Sequence, residues 1–343
     1  MVALAPKRRT SSRWEGSCVP GAIASTSLVS VPAIALAELL PSFMTTQSSD
    51  IVPARIAPST QHGTLLAALG VLSFSFSFPG TVWALDGFGP WSATGVRGVI
   101  AALLAAAGLL LMRGPLPHRA DWPGITVVAI GCAIGFPLLT TLALQTSSTA
   151  HSAVVIGALP MATASISAWR TGKRHSPLFW AAAGLGALTV ITFTLTQNHG
   201  RPSIADLYLF GALVLCAAGY AEGGRLSAHM SGWRVIAWGV VLAAPINFAV
   251  AAWALNQEPL DVTPTAIGGM LYIACISQFL GFVVWYRGMG LIGVARASQI
   301  QLAQPLLTLI WAVLLMGETL PPTIPLTAAI VLACIVLTQR ARA

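Results

Sequence analysis

The sequence predicts an all-α polytopic membrane protein with ten transmembrane helices arranged as two inverted five-helix repeats, and three observations predict it. Of 343 residues, 56% are hydrophobic and 8% charged, with a mean hydropathy of +0.78, far too little polar surface to cover a water-soluble globule. From Thr64 onward the chain is a succession of apolar runs separated by short polar breaks, each run near the roughly 20 residues that a helix needs to cross a bilayer. The stretch from Gly293 to Pro322, GVARASQIQLAQPLLTLIWAVLLMGETLPP, has a near-copy 145 residues upstream. Without gaps, Ala150 falls on Ala295, Pro160 on Pro305, Thr163 on Thr308, Gly172 on Gly317, Pro177 on Pro322 and Ala183 on Ala328. Prolines and glycines at matched spacing are hard to obtain from an Ala/Leu-rich background, so one segment has been used twice.

The formal net charge of +8 does not point to nucleic acid, whose binders cluster basic residues on one face or stripe. Here the basic residues sit in loops between hydrophobic runs, the pattern that sets membrane orientation. Of five cysteines, Cys132, Cys216, Cys275 and Cys334 lie inside apolar runs and Cys18 in the N-terminal stretch, with no CxxC and no Cys/His cluster. They read as small buried hydrophobes.

Taken in order, residues 1–63 are rich in Ser, Thr, Pro and basic side chains and are expected not to pack. Residues 18–40 are mildly apolar, but Pro20, Pro32 and Glu38 weaken a signal-peptide or extra-span reading. Met44 offers a later in-frame start. Spans are expected at 64–85, 90–112, 122–145, 149–170 and 177–197 in a first repeat over 64–197. A second set at 204–226, 233–255, 264–286, 292–316 and 322–338 fills a repeat over 204–338, before a short tail, 339–343.

Loop charges support that count. One side carries Arg113, Arg119, Arg170, Lys173, Arg174, Arg225, Arg234, Arg287, Arg296, Arg340 and Arg342. The other carries Asp86, Asp206, Glu258, Asp261 and Glu318, with Arg201. The positive-inside rule then puts both termini in the cytoplasm. Five helices per half is an odd number, so the second half inserts upside down and its loops should exchange charge. The first copy ends GKRHSP and the second GETLPP, and His151 becomes Arg296. In such inverted repeats a substrate site lies near the membrane midplane between the halves.

These residues resemble the drug/metabolite transporter superfamily, specifically its EamA-type members. The resemblance rests on Ala143 to Arg174, with LPMAT and GKR, and on Gly288 to Pro322, with ARAS, QPLLT and GE. It extends loosely over 64–340, including Arg97 early in the second span and GYAEGGRL from Gly219 to Leu226. It implies a ten-helix carrier of a small metabolite, usually an exporter, in a bacterial cytoplasmic membrane, and supplies no agreed catalytic set.

Candidate residues therefore come from physics. Ionisable groups inside a span are costly and are functional candidates by default. Arg97, a turn and a half inside its span, either faces a central cavity and attracts an anionic group such as a carboxylate, or snorkels to the interface. Glu222 and Arg225 share a helix face; they either couple protons to transport or anchor the helix end, and anchoring is preferred. Pro160 and Pro305 break the backbone ladder at matched positions, freeing carbonyls for a substrate or a bend. Gln278, Gln304, Gln301 and Asn247 are cavity groups or interhelical hydrogen-bonders, and His151 is a titratable group or an interface residue. Tyr220, Trp285 and Tyr286 either line a cavity or belong to the interfacial belt. Gly131 with Gly135 and Gly219 with Gly223 have the GxxxG spacing of close helix packing.

No HExxH, GxSxG, Walker loop or CxxC is present, so no enzymatic activity is expected. The expected function is secondary active transport, outward, of a small metabolite or drug-like solute by alternating access, with proton coupling as an option. The rivals are an uncoupled facilitator or exchanger, and a lipid scramblase or membrane scaffold. The expected partners are a small-molecule substrate and the lipid bilayer, with no cofactor, metal or nucleic acid, and a homodimer is left open.

Overall fold

The computed structural model describes residues 60–172, 175–197, 200–292, 297 and 300–341. Among these residues there are helices and turns and no strand. Nine helices are long and apolar enough to cross a membrane: α1 Gln61–Leu85, α2 Pro90–Leu111, α3 Arg119–Ala143, α4 Thr149–Thr171, α5 Pro177–Gln197, α6 Ile204–Leu226, α7 Gly232–Ala254, α8 Pro264–Ile292 and α10 Thr323–Arg340. Between the last two lies a shorter apolar helix, α9, Ala303–Met316.

The expected spans differ from these mainly at their ends. The first begins at Gln61 rather than 64, and the eighth continues past 286 to Ile292. The ninth, expected over 292–316, is broken by a turn at Leu302 between the helical residues Ile300 and Gln301 and the helix Ala303–Met316, in whose first turn Pro305 has no amide to donate. Nearly all of the expected N-terminal tail lies outside the described residues, as do Lys173, Arg174, Arg296 and Arg342.

Local chemistry explains where the helices start and stop. In α6 the Ser203 hydroxyl accepts from the Asp206 amide at 3.1 Å, while the Asp206 carboxylate accepts from the Ser203 amide at 2.9 Å. This reciprocal pair satisfies two amides that have no partner inside the helix. Ser148 caps α4 through the His151 amide, and Thr263 caps α8 through the Ala266 amide. Both α4 and α9 end on a glycine in the left-handed region, Gly172 at φ +65° and Gly317 at φ +66°. The two glycines that the duplication aligns thus do the same job, one that a Cβ would strain.

The copies also break their helices in the same places. α3 contains a π-helical stretch at Ala129–Gly135 and α8 one at Tyr272–Leu280; moved by 145 residues, the first falls within the second. α4 is interrupted between Ile156 and Leu159, just before Pro160. The corresponding residue of Gly157 in the second copy, Leu302, is likewise in a turn ahead of Pro305.

Packing pairs α1 with α8, α2 with α7, α4 with α9 and α5 with α10, while α6 lies against α3 and α4. Glycines permit the close crossings. A Cβ on Gly131 of α3 would fall 2.3 Å from the Leu215 carbonyl oxygen of α6, and one on Gly219 of α6 would fall 2.5 Å from Cys132 Sγ. The GxxxG spacing at these positions is therefore a packing device.

Gly131→Val should lower the thermal unfolding midpoint of the detergent-solubilised protein, the cost of overpacking being about 1–3 kcal/mol. Gly268→Ala, whose Cβ meets nothing within 4 Å, should leave the midpoint unchanged or slightly raised. An unchanged midpoint for Gly131→Val would contradict the α3–α6 contact.

Candidate functional site

A proline within a helix removes one amide donor and turns its ring against the carbonyl four residues earlier. For Pro160 and Pro305 those carbonyls belong to Ile156 and Gln301. Lipid cannot satisfy them, so they must face protein or a water-filled cavity. Both residues line one internal cavity, and the way the two copies contribute to it is regular. Ile156, Gly157, Leu159 and Pro160 line it from α4; Gln301, Leu302, Gln304 and Pro305, the same four positions 145 residues on, line it from the second copy. Cys132 in the π-helical stretch of α3 and its counterpart Ser277 in α8 also line it. Where the first copy supplies Ile156 and Leu159, the second supplies two glutamines, so one wall is apolar and the facing wall carries amides.

The remaining lining comes mainly from α1, α2, α6 and α8, with Leu332 and Ile335 of α10. Phe74 and Phe282 pack with ring centroids 4.7 Å apart, and Tyr220 stands edge-on to Phe282 at 6.0 Å. Ser77 and Ser277 share a hydroxyl hydrogen bond of 2.7 Å. The Gln278 amide approaches the Cys132 and Ala133 carbonyls at 3.5 and 3.4 Å, so the irregular backbone of α3 is met by a donor from the irregular part of α8. Thr308 donates to the Ser75 carbonyl at 2.9 Å, tying α9 to α1. Its counterpart Thr163 has a buried hydroxyl with no partner.

Arg97 enters this cavity from α2. It lies seven residues into the helix, about 10 Å from its start. It is 5% exposed, and its Nε is buried without a hydrogen-bond partner. Asn247 of α7 packs against the next residue of α2, Gly98, where a Cβ would fall 2.3 Å from its side chain.

Of the residues singled out in the sequence, Arg97, Gln278, Gln301, Gln304, Pro160, Pro305 and Tyr220 meet at this one cavity. Glu222, Arg225 and His151 do not. Glu222 accepts from Arg170 Nε of α4 and from Arg225 Nε of its own helix, each at 2.7 Å. It bridges two helices at the end of the bundle where α4 and α6 finish. The same end holds His229 against Asp121 at 2.9 Å. His151 lies at the opposite end, 2.7 Å from Asp206 and stacked on Phe193.

Two carboxylates that the sequence does not mark as site candidates make specific contacts. Glu258, in the α7–α8 loop, accepts from the Trp91 and Ser92 amides at 3.2 and 2.7 Å. Glu318, in the α9–α10 loop, accepts from the Thr149 and Ala150 amides at 2.6 and 2.9 Å. Each second-copy loop thereby caps the positive N-terminus of a first-copy helix. A signal was present: the counterparts of Glu258 and Glu318 under the 145-residue shift are Arg113 and Lys173, cations where the second copy has anions.

A duplicated all-helical membrane bundle enclosing a cavity built from equivalent positions of both copies defines a polytopic membrane protein of the transporter class. The EamA-like transporter family model matches residues 61–195 and again residues 203–340, and the chain belongs to that family. It is 37% identical over 281 residues to the uncharacterized transporter YdeK of Bacillus subtilis (strain 168), covering 82% of this chain and 98% of that protein. It is 23% identical over 261 residues to the uncharacterized transporter YwfM of the same organism, covering 75% and 88% of the two chains. A solved crystal structure, 19% identical, superposes with a TM-score of 0.56 over 80% of this chain and 97% of its own, a likeness of fold alone.

Replacing Glu258 or Glu318 by Ala should each cost about 1–2 kcal/mol of stability, the range for a charge held at a helix N-terminus by backbone amides. The two losses should be nearly additive, since they act on different helices; a midpoint unchanged in both variants would contradict the capping geometry. Glu222→Gln should lower yield and unfolding midpoint by unlinking α4 from α6. Normal yield with altered pH dependence of flux would instead assign Glu222 a coupling role.

Proposed function

We propose that the protein is a secondary transporter whose ten helices form two inverted five-helix repeats, carrying a small metabolite or drug-like solute outward across a bacterial cytoplasmic membrane by alternating access. The observation that carries this reading is the cavity walled by Ile156 to Pro160 and by the equivalent Gln301 to Pro305. Inverted-repeat carriers hold substrate at the repeat interface, where helices are discontinuous, and here both copies are discontinuous at the cavity.

The inversion is supported by charge. Acidic contacts gather at the end where α2, α4 and α6 begin, through Glu258, Glu318 and Asp206. Basic side chains gather at the other, with Arg170, Arg225 and Arg234. Exchange of cation for anion between Arg113 and Glu258 and between Lys173 and Glu318 follows if the second copy is upside down. On this reading α9 with its preceding turn completes the tenth crossing, and both termini are cytoplasmic.

An uncoupled facilitator or exchanger is the second reading, and one observation favours it. Among the described residues that line the cavity there is no Asp, Glu or His, and Glu222 is engaged by two guanidinium groups outside it.

Cells overproducing the protein should lose one or a few small organic solutes to the medium relative to cells lacking it. Reconstituted into proteoliposomes, the protein should accumulate that solute when a pH gradient is imposed if it is proton-coupled. Equilibration without accumulation selects the facilitator. Lipid exchange between leaflets with no solute movement contradicts the carrier.

A further inference from the structure

Four charged side chains are buried among the described residues: Arg97, Asp121, Asp206 and Glu222. Three have basic side chains within hydrogen-bond distance, Asp121 with His229, Asp206 with His151 and Glu222 with Arg170 and Arg225. Arg97 has no acidic counterpart among the described residues. Its Nε is buried and unpartnered, and no described residue lining its cavity is acidic. A guanidinium stays protonated at neutral pH and cannot escape burial by losing its proton as a lysine can. A buried charge persists where a partner compensates it, and none of the described residues lining this cavity supplies a carboxylate.

Resting on the carrier reading, we propose that the transported solute is a small organic monoanion, a carboxylate attached to an apolar body, whose carboxylate pairs with Arg97. The planar fork of arginine matches a carboxylate through two parallel hydrogen bonds. A single guanidinium balances one negative charge, which favours a carboxylate over a phosphate dianion. The aromatic side chains of Phe74, Phe136 and Phe282 accept the apolar body, and the amides of Gln278 and Gln304, both from the second copy, meet polar substituents. With no acidic group among the described residues of the cavity, nothing there pairs with an ammonium, so the site discriminates against amines and zwitterions.

The experiment uses the full chain in detergent with three probes of one shape: 3-phenylpropionate, 3-phenylpropionamide and 3-phenylpropylamine. Binding is measured by calorimetry and by the shift in thermal unfolding midpoint. The carboxylate should bind the wild-type protein at least about tenfold more tightly than the amide, as the loss of a charged hydrogen bond implies, and the amine should not bind. In Arg97→Gln the carboxylate should fall to the level of the amide, and Arg97→Lys should recover part of the difference. Should Arg97→Gln fail to fold, the wild-type comparison still decides. Equal or tighter binding of the amide or the amine, binding of none of the three, or an undiminished carboxylate preference in Arg97→Gln overturns the inference. Counterflow of the same probes in proteoliposomes separates the two readings. Transport of the amine without the carboxylate refutes the anion and leaves the carrier standing, whereas the predicted binding pattern with no flux keeps the anion site and removes the carrier.

Discussion

Hydrocarbon offers no hydrogen bonds, and this constraint organises the whole molecule. Any backbone group freed by a proline, a π-helical turn or a helix end must be met by protein or by an enclosed polar space. In this chain the breaks at Pro160 and Pro305 and the π-helical stretches of α3 and α8 all converge on one cavity. Duplication made that convergence economical, because one irregular sequence used twice places two sets of freed groups opposite each other. The Gln278 amide beside the Cys132 and Ala133 carbonyls is the visible result.

The same constraint explains the ends of the bundle. Helix N-termini expose amides, and two are covered by carboxylates from loops distant in sequence, Glu258 on α2 and Glu318 on α4. At the opposite end Glu222 ties α4 to α6 between two guanidinium groups. Both sets of contacts join separate helices at the margins and not in the middle. If the halves rock against one another, these polar contacts, rather than the apolar crossings at Gly131 and Gly219, are the ones suited to break and re-form. Close-packed interiors resist continuous deformation, while polar contacts near the membrane surface can exchange their partners for water.

Much of the fold was legible in the sequence because the membrane makes hydropathy informative. The spans from α2 to α7 begin and end within a few residues of expectation. The ninth was not, because apolar composition continues through Leu302 while the helix breaks at that residue. The repeat was legible from Pro160 with Pro305 and Gly172 with Gly317, residues whose backbone geometry leaves little choice. Seven singled-out polar, aromatic and proline residues meet at the cavity, since a buried polar group in a span has few other places to go. Anchoring was already the preferred reading of Glu222, and what composition left open was Arg97. Both are ionisable and both lie within a span, yet only the three-dimensional arrangement shows one bracketed by two partners and the other with none. Glu258 and Glu318 were legible as charges and not as caps, because a cap depends on which helix start lies across the loop.

The central claim is that the two copies lie antiparallel in the membrane and meet around the cavity. Its most direct test is to place single cysteines at His175 and at Leu320, equivalent positions just past the two left-handed glycines, in a chain freed of its own cysteines. Labelling with a membrane-impermeant thiol reagent in intact cells should then reach position 320 and leave position 175 unlabelled until the cells are opened. Labelling of both positions from the same side of the membrane would contradict the account.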